Sequence, residues 1–201
     1  MKNVIVIIDC GHAKNTPGKC YEGFYEYSWN REEAETLKAE LLKRGYQVSY
    51  TVDLKDVKDK SLQDRVKTAN NIISLNPKHH CLYVSVHADA ENSCKARGWS
   101  IWTARGMADS DKLAEKIIRH ADSKLPDIGM KVRKNASKVY EEDFEAGFYV
   151  IQHTNCPAVL IEHFFFTNAK DQEIAKTGHA KQIFAEATSN GIDDFVEEMK
   201  W

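Results

Sequence analysis

A chain of 201 residues with 42% hydrophobic and 29% charged residues has the balance of a soluble globular domain, long enough to bury a core without disulfide or metal staples. Its formal charge of −2 excludes a broad electrostatic surface for nucleic acid or anionic lipid. No apolar stretch approaches the roughly 18 residues that span a bilayer, and the opening run reaches Asp9 without the small-residue cleavage site of an export signal.

The first predicted element is a buried strand, Val4-Ile5-Val6-Ile7-Ile8, which leads to Asp9 and His12. A loop with Gly and Lys follows, then a helix over Trp29–Arg44 with Ala34, Leu37, Leu41 and Leu42 as its apolar stripe and Gly45 as its stop. Tyr46–Thr51 alternates like a strand. A charged loop leads to a helix starting near Ser61, with Leu62, Val66, Ala69, Ile72 and Ile73 on one face and Asn76-Pro77 at its end. The second buried strand, Leu82–Val86, leads to His87. Gly98–Thr103 reads as a strand and Asp109–Leu125 as a helix. Pro126–Ala146 is charged and weakly periodic, a long functional loop. Phe148–Gln152 and Ala158–Phe164 read as two strands, the second carrying Glu162 and His163. Helices near Ala169–Lys176 and His179–Lys200 complete the chain.

This alternation predicts a single α/β domain over residues 1–201: a central, mostly parallel, twisted sheet flanked by helices on both faces. Ligands of open α/β sheets bind beyond the carboxyl ends of the strands, where three runs here end on polar groups. A catalytic zinc takes three protein ligands from His and carboxylates. His12 and His87 are natural candidates, a third ligand must come from elsewhere, and Glu26 stands in the loop within reach of His12. A Glu directly after Val-Leu-Ile is costly to bury without purpose, which favours a function for Glu162. By strand alternation His163 points away from Glu162. His153 and His79-His80 read as structural. The five cysteines, an odd number without framework spacing, read as reduced thiols, with a Cys10–His12–Cys20 metal site as the weaker alternative.

Several blocks together resemble one family. Asp9-Cys10-Gly11-His12-Ala13 resembles the Asp-Pro-Gly-His-Gly opening of the zinc-dependent N-acetylmuramoyl-L-alanine amidases of the amidase-3 type. Glu26 with Asn30, Leu62–Arg65 with Ala69-Asn70, Ser85–Ala90, and Pro157–Glu162 with Phe165, Thr167 and Asn168 are similar to four further blocks of that family, in the same order. The resemblance implies His12, Glu26 and His87 as ligands of one Zn²⁺ per chain and Glu162 as the catalytic carboxylate. The implied reaction is hydrolysis of the amide between the lactyl group of N-acetylmuramic acid and L-alanine, with peptidoglycan as the partner, no nucleic acid and no stable membrane association. No protein partner is predictable from these residues.

Asp9 is expected to hold a ligand histidine by its second ring nitrogen. Arg133, with Lys131 and Lys134, is expected to meet carboxylates of the stem peptide, while Trp99, Trp102, Phe148 and Phe164 are candidate groove residues, Trp102 and Phe164 being better read as core. Cys10, Ala13, Asp89 and His163-Phe164 depart from the family pattern without removing a ligand or the base. An endolysin-like enzyme is expected, made in the cytoplasm without a signal peptide and acting on the wall after release or export. The rivals are a zinc metallopeptidase or deacetylase, and a non-catalytic peptidoglycan-binding relative.

Overall fold

Seven consecutive buried residues, Val4–Cys10, form β1 in the computed structural model, which describes residues 2–136 and 142–201. A short antiparallel hairpin follows, β2 (Cys20–Tyr21) and β3 (Phe24–Tyr25), turned by Glu22 and Gly23 at φ 50° and 78°. Helix α1 (Glu26–Lys43) starts three residues before the expected Trp29, because the Glu26 amide is already tied to the Lys19 carbonyl at 2.9 Å. Glu26 therefore opens a helix rather than lying in a loop.

Strand β4 (Gln47–Tyr50) is followed by α2 (Leu62–Leu75), whose cap is the Ser61 side chain accepting from the Asp64 amide. Then come β5 (His80–Asp89), β6 (Ser100–Thr103) and α3 (Ala108–Lys124). The expected long loop holds a 3-10 turn at Leu125–Ile128, a bridge between Trp99 and Val132, and β7 (Phe144–Glu145). Its residues 137–141 lie outside the described ones.

The stretch expected as a strand at Phe148–Gln152 is a single helical turn, α4 (Tyr149–Gln152). Its adjacent Val150 and Ile151 are both buried against α2 and β8, and the His153 amide closes the turn on the Tyr149 carbonyl at 3.1 Å. β8 (Ala158–Phe165), α5 (Ala169–Ala175) and α6 (Gly178–Met199) follow as expected.

The main sheet has the order β4-β1-β5-β8-β6-β7. Its first four strands are parallel, β6 runs antiparallel to β8, and β7 parallels β6. β1, β5 and β8 are covered on both faces, so their sequences read as unbroken apolar runs rather than alternating ones. Leu37 and Leu41 of α1, Leu113 and Ile117 of α3, and Phe184 and Phe195 of α6 fill the larger core on one face. Val66 and Ala69 of α2 with Val150 and Ile151 of α4 fill the smaller core on the other. Leu42 and Leu62, expected inward, are 50% and 51% exposed.

One acid inside the larger side of the molecule is unrelated to any site. Glu33 of α1 is 1% exposed, and its Oε2 has no hydrogen-bond partner among the described residues. Burial pushes its carboxyl well above the ordinary range, with the Lys181 charge opposing only in part. A raised folded pKa means that the folded chain holds the proton longer than the unfolded one. This residue thus lowers stability progressively as pH rises above the ordinary value near about 4.3. Glu33→Gln removes the titration, so its Tm advantage over wild type is expected to grow from about pH 5 to about pH 8. A difference that stays constant across a pH series of melting curves would contradict this.

Candidate active site

Parallel pairing of β5 with β8 sets His87 directly opposite Glu162. His12 follows β1 in a left-handed backbone conformation, φ 66°, and Arg31 of α1 holds its carbonyl at 3.0 Å. Glu26, at the first turn of α1, is buried between the two imidazoles. Its Oε1 lies 3.0 Å from His87 Nδ1 and 3.3 Å from His12 Nε2, while its Oε2 accepts from the Lys19 amide at 2.7 Å. The three predicted ligand residues are thus brought together, with one ligand atom from each within 4.8 Å of the others.

Two imidazole nitrogens and a carboxylate oxygen form a donor set suited to zinc. The surrounding backbone fits such a centre as well. A Cβ on Gly11 would run into the His87 ring, and one on Gly18, at φ +71°, would stand 2.5 Å from Glu26 Oε2 and 2.6 Å from His12 Cδ2. These glycines let the backbone wrap closely around the three side chains. Sequence reasoning missed both roles; the Pro17-Gly18 turn dipeptide was the available signal for the second.

Burial pushes the Glu26 carboxyl upward, but hydrogen bonding to the His12 and His87 rings outweighs this and holds it well below the usual carboxylate range. Glu162 has the opposite balance. Burial, reinforced by the charges of Glu26 and Asp89, raises its carboxyl well above that range. Its Oε2 is buried without a hydrogen-bond partner among the described residues. Glu162 shares a cavity of about 340 Å³ with His12, His87, Arg65, Leu62 and Phe148. The exposure of Leu62 and Phe148 gives this cavity an apolar wall.

Asp9 lies beneath the cluster but does not make the expected bond to a ligand imidazole. Its Oδ1 accepts from Thr51 Oγ1 and from Arg65 Nη1 at 2.8 Å, and its Oδ2 from Ser85 Oγ at 3.1 Å. Burial acts to raise its pKa, and the Arg65 charge and Thr51 hydroxyl prevail in lowering it. Arg65 also donates to the Cys10 carbonyl at 2.7 Å and to Asp59 at 2.5 Å. The Asp9–Arg65 pair therefore braces the carboxyl end of β1.

His163 faces the opposite side, as alternation predicts, packed on Trp29 and Phe184 with ring centroids 5.1 and 5.2 Å away. Its Nδ1 donates to the His87 carbonyl at 3.1 Å, and burial pushes its pKa down to about 3, so the ring is neutral. Arg133 stands near Glu162, beside the Phe165 ring at 4.8 Å and the Phe144 ring at 5.5 Å. Lys134 pairs instead with Asp122 and Glu142, and the Lys131 side chain is exposed. Phe148 borders the cavity with Trp102 behind it at 5.5 Å, while Trp99 and Phe164 are core. The five cysteines are free thiols, and His80 stacks on Trp201.

Residues 6–194 match the N-acetylmuramoyl-L-alanine amidase family of the amidase-3 type. Over 95% of its length the chain is 29% identical to the N-acetylmuramoyl-L-alanine amidase LytC of Bacillus subtilis (strain 168), and it spans 36% of that protein. The catalytic domain of CwlV, an N-acetylmuramoyl-L-alanine amidase from Bacillus (Paenibacillus) polymyxa, superposes with a TM-score of 0.79 at 25% identity, covering 98% of this chain and 99% of that one. The CwlD amidase of Clostridioides difficile, solved in complex with the GerS lipoprotein, has the same fold, with a TM-score of 0.79 at 21% identity over 96% of this chain and 98% of that one.

Proposed function

This chain belongs to the amidase-3 family of N-acetylmuramoyl-L-alanine amidases, and we propose that it uses zinc to hydrolyse the amide joining the lactyl group of N-acetylmuramic acid to L-alanine in peptidoglycan. The observation that carries this reading is the His12–Glu26–His87 cluster facing an otherwise unpartnered oxygen of Glu162. His12, Glu26 and His87 would hold the ion. When bound, zinc supplies Lewis acidity, lowering the pKa of a coordinated water toward about 7 and polarising the scissile carbonyl.

The remaining chemistry belongs to the chain. Glu162 accepts a proton from the attacking water and delivers it to the nitrogen as the C–N bond breaks, leaving a lactyl carboxylate and the L-alanine amine. Leu62 and Phe148 border the groove and restrict water around the reacting bond. Arg133 meets a polar group of the stem peptide from the Phe144 and Phe165 side. The enzyme acts at the cell wall, reached after release or export.

Metal analysis combined with product analysis on purified peptidoglycan tests the reading. Stoichiometric zinc and new L-alanine amino termini, with lactyl groups intact, are the expected result. Released acetate, cleavage at another peptide bond, or protein that binds no zinc would each sink it.

A further inference from the structure

His87, Glu162 and Ser100 stand in one row across the sheet. The β5–β8 register sets His87 opposite Glu162, and the β6–β8 register sets Ser100 opposite Glu162 from the other flank. Directly opposed residues of neighbouring strands point to the same face. The pattern along β6 agrees: Ile101 turns into the larger core, whereas Trp102, paired with Leu160, packs with the smaller core on the Glu162 face. Ser100 thus borders the Glu162 side chain on the side away from His87.

Two polar atoms in this row lack partners. Ser100 is fully buried, and its Oγ, like Glu162 Oε2, makes no hydrogen bond among the described residues. A buried hydroxyl left unpaired destabilises a fold that alanine would serve as well. The Cβ atoms of directly opposed residues lie about 4.5–5.5 Å apart. A change of the Ser100 χ1 rotamer, with a swing of the longer Glu162 side chain, joins the two atoms without moving the backbone.

A hydroxyl also suits a group whose protonation changes. It donates to a carboxylate and accepts from a carboxylic acid, whereas lysine or arginine would hold only the anion. A carboxyl gripped on the flank away from His87 presents its second oxygen toward the His12–Glu26–His87 cluster. Taking the amidase reading as given, we infer that Ser100 is a positioning residue for the hydrolysis. Its hydroxyl hydrogen-bonds one carboxyl oxygen of Glu162 and leaves the other to face the attacking water. The carboxyl is then oriented before each proton transfer rather than during it.

The test is Ser100→Ala in wild-type and Glu162→Gln backgrounds, read as release of L-alanine amino termini from a soluble muropeptide by the zinc-loaded protein. In the wild-type background kcat is expected to fall about tenfold while KM stays within about twofold. In the Glu162→Gln background the same change should cost less than about twofold, because Ser100 acts only through that carboxyl. Infrared difference spectra give a readout independent of turnover. The Glu162 carboxyl band, identified by its loss in Glu162→Gln, should shift in Ser100→Ala. A kcat within about twofold of wild type, a loss carried by KM, an equal loss in both backgrounds, or an unmoved carboxyl band would each overturn the inference and leave the amidase reading standing. If the wild type itself releases no L-alanine amino termini, the amidase reading falls, and the infrared band still decides whether Ser100 holds Glu162.

Discussion

On the zinc amidase reading proposed above, exchanging Glu162 for Gln is expected to lower kcat by roughly 10³-fold while zinc content and melting temperature stay those of the wild type. The replacement preserves shape and one acceptor oxygen but cannot carry a proton in either direction. Glu162 is not among the clustered ligand atoms, so metal content should not follow activity. The carboxyl also pays for its position in the folded state, since burial and the Glu26 and Asp89 charges raise its pKa. Removing an ionisable group from such a place does not weaken the fold. Single-turnover cleavage of a soluble muropeptide, beside zinc analysis of the same sample, separates the two properties. Wild-type turnover in the variant, or loss of zinc together with activity, would remove Glu162 from the proton-carrying role.

Arg65→Ala is expected to be the most damaging single change to stability, costing about 3–5 kcal/mol. Asp9 and Arg65 are buried together, their side chains 1% and 3% exposed. Deleting the guanidinium leaves Asp9 with a charge and only two hydroxyl donors, and it also strips a donor from the Cys10 carbonyl. For a domain of this size that loss corresponds to a fall in Tm of roughly 6–20 °C. Pairing Arg65→Met with Asp9→Asn removes both charges and should recover part of the loss. A double-mutant cycle by denaturant unfolding measures the coupling; a single variant that loses less than about 1 kcal/mol would show that the pair braces nothing.

Where one strong physical preference decided the structure, the sequence was readable. Val4–Ile8, Leu82–Val86 and Ala158–Ile161 could hardly be anything but strands covered on both faces, and the apolar face of Val66, Ala69 and Ile72 marked the helix that starts near Ser61. The sequence also placed His12, Glu26, His87 and Glu162 as candidates, and the fold gathers them. What it could not supply was information held by distant segments. Nothing near Asp9 announces that Arg65 arrives beneath it, so a histidine looked like its natural partner. Phe148–Gln152 has strand-like composition but is too short for periodicity to speak, and packing against β8 and α2 decides in favour of a helical turn. Leu62 looked like core because it is apolar, yet the cavity beside His12 is what gives it a place.

β8 lies centrally in the sheet yet late in the chain. It joins β5 to β6 and carries Glu162, whereas all three side chains of the His12–Glu26–His87 cluster have been made by residue 87. A nascent or clipped copy ending before Ala158 therefore has its imidazoles and Glu26 but neither its middle strand nor its proton carrier.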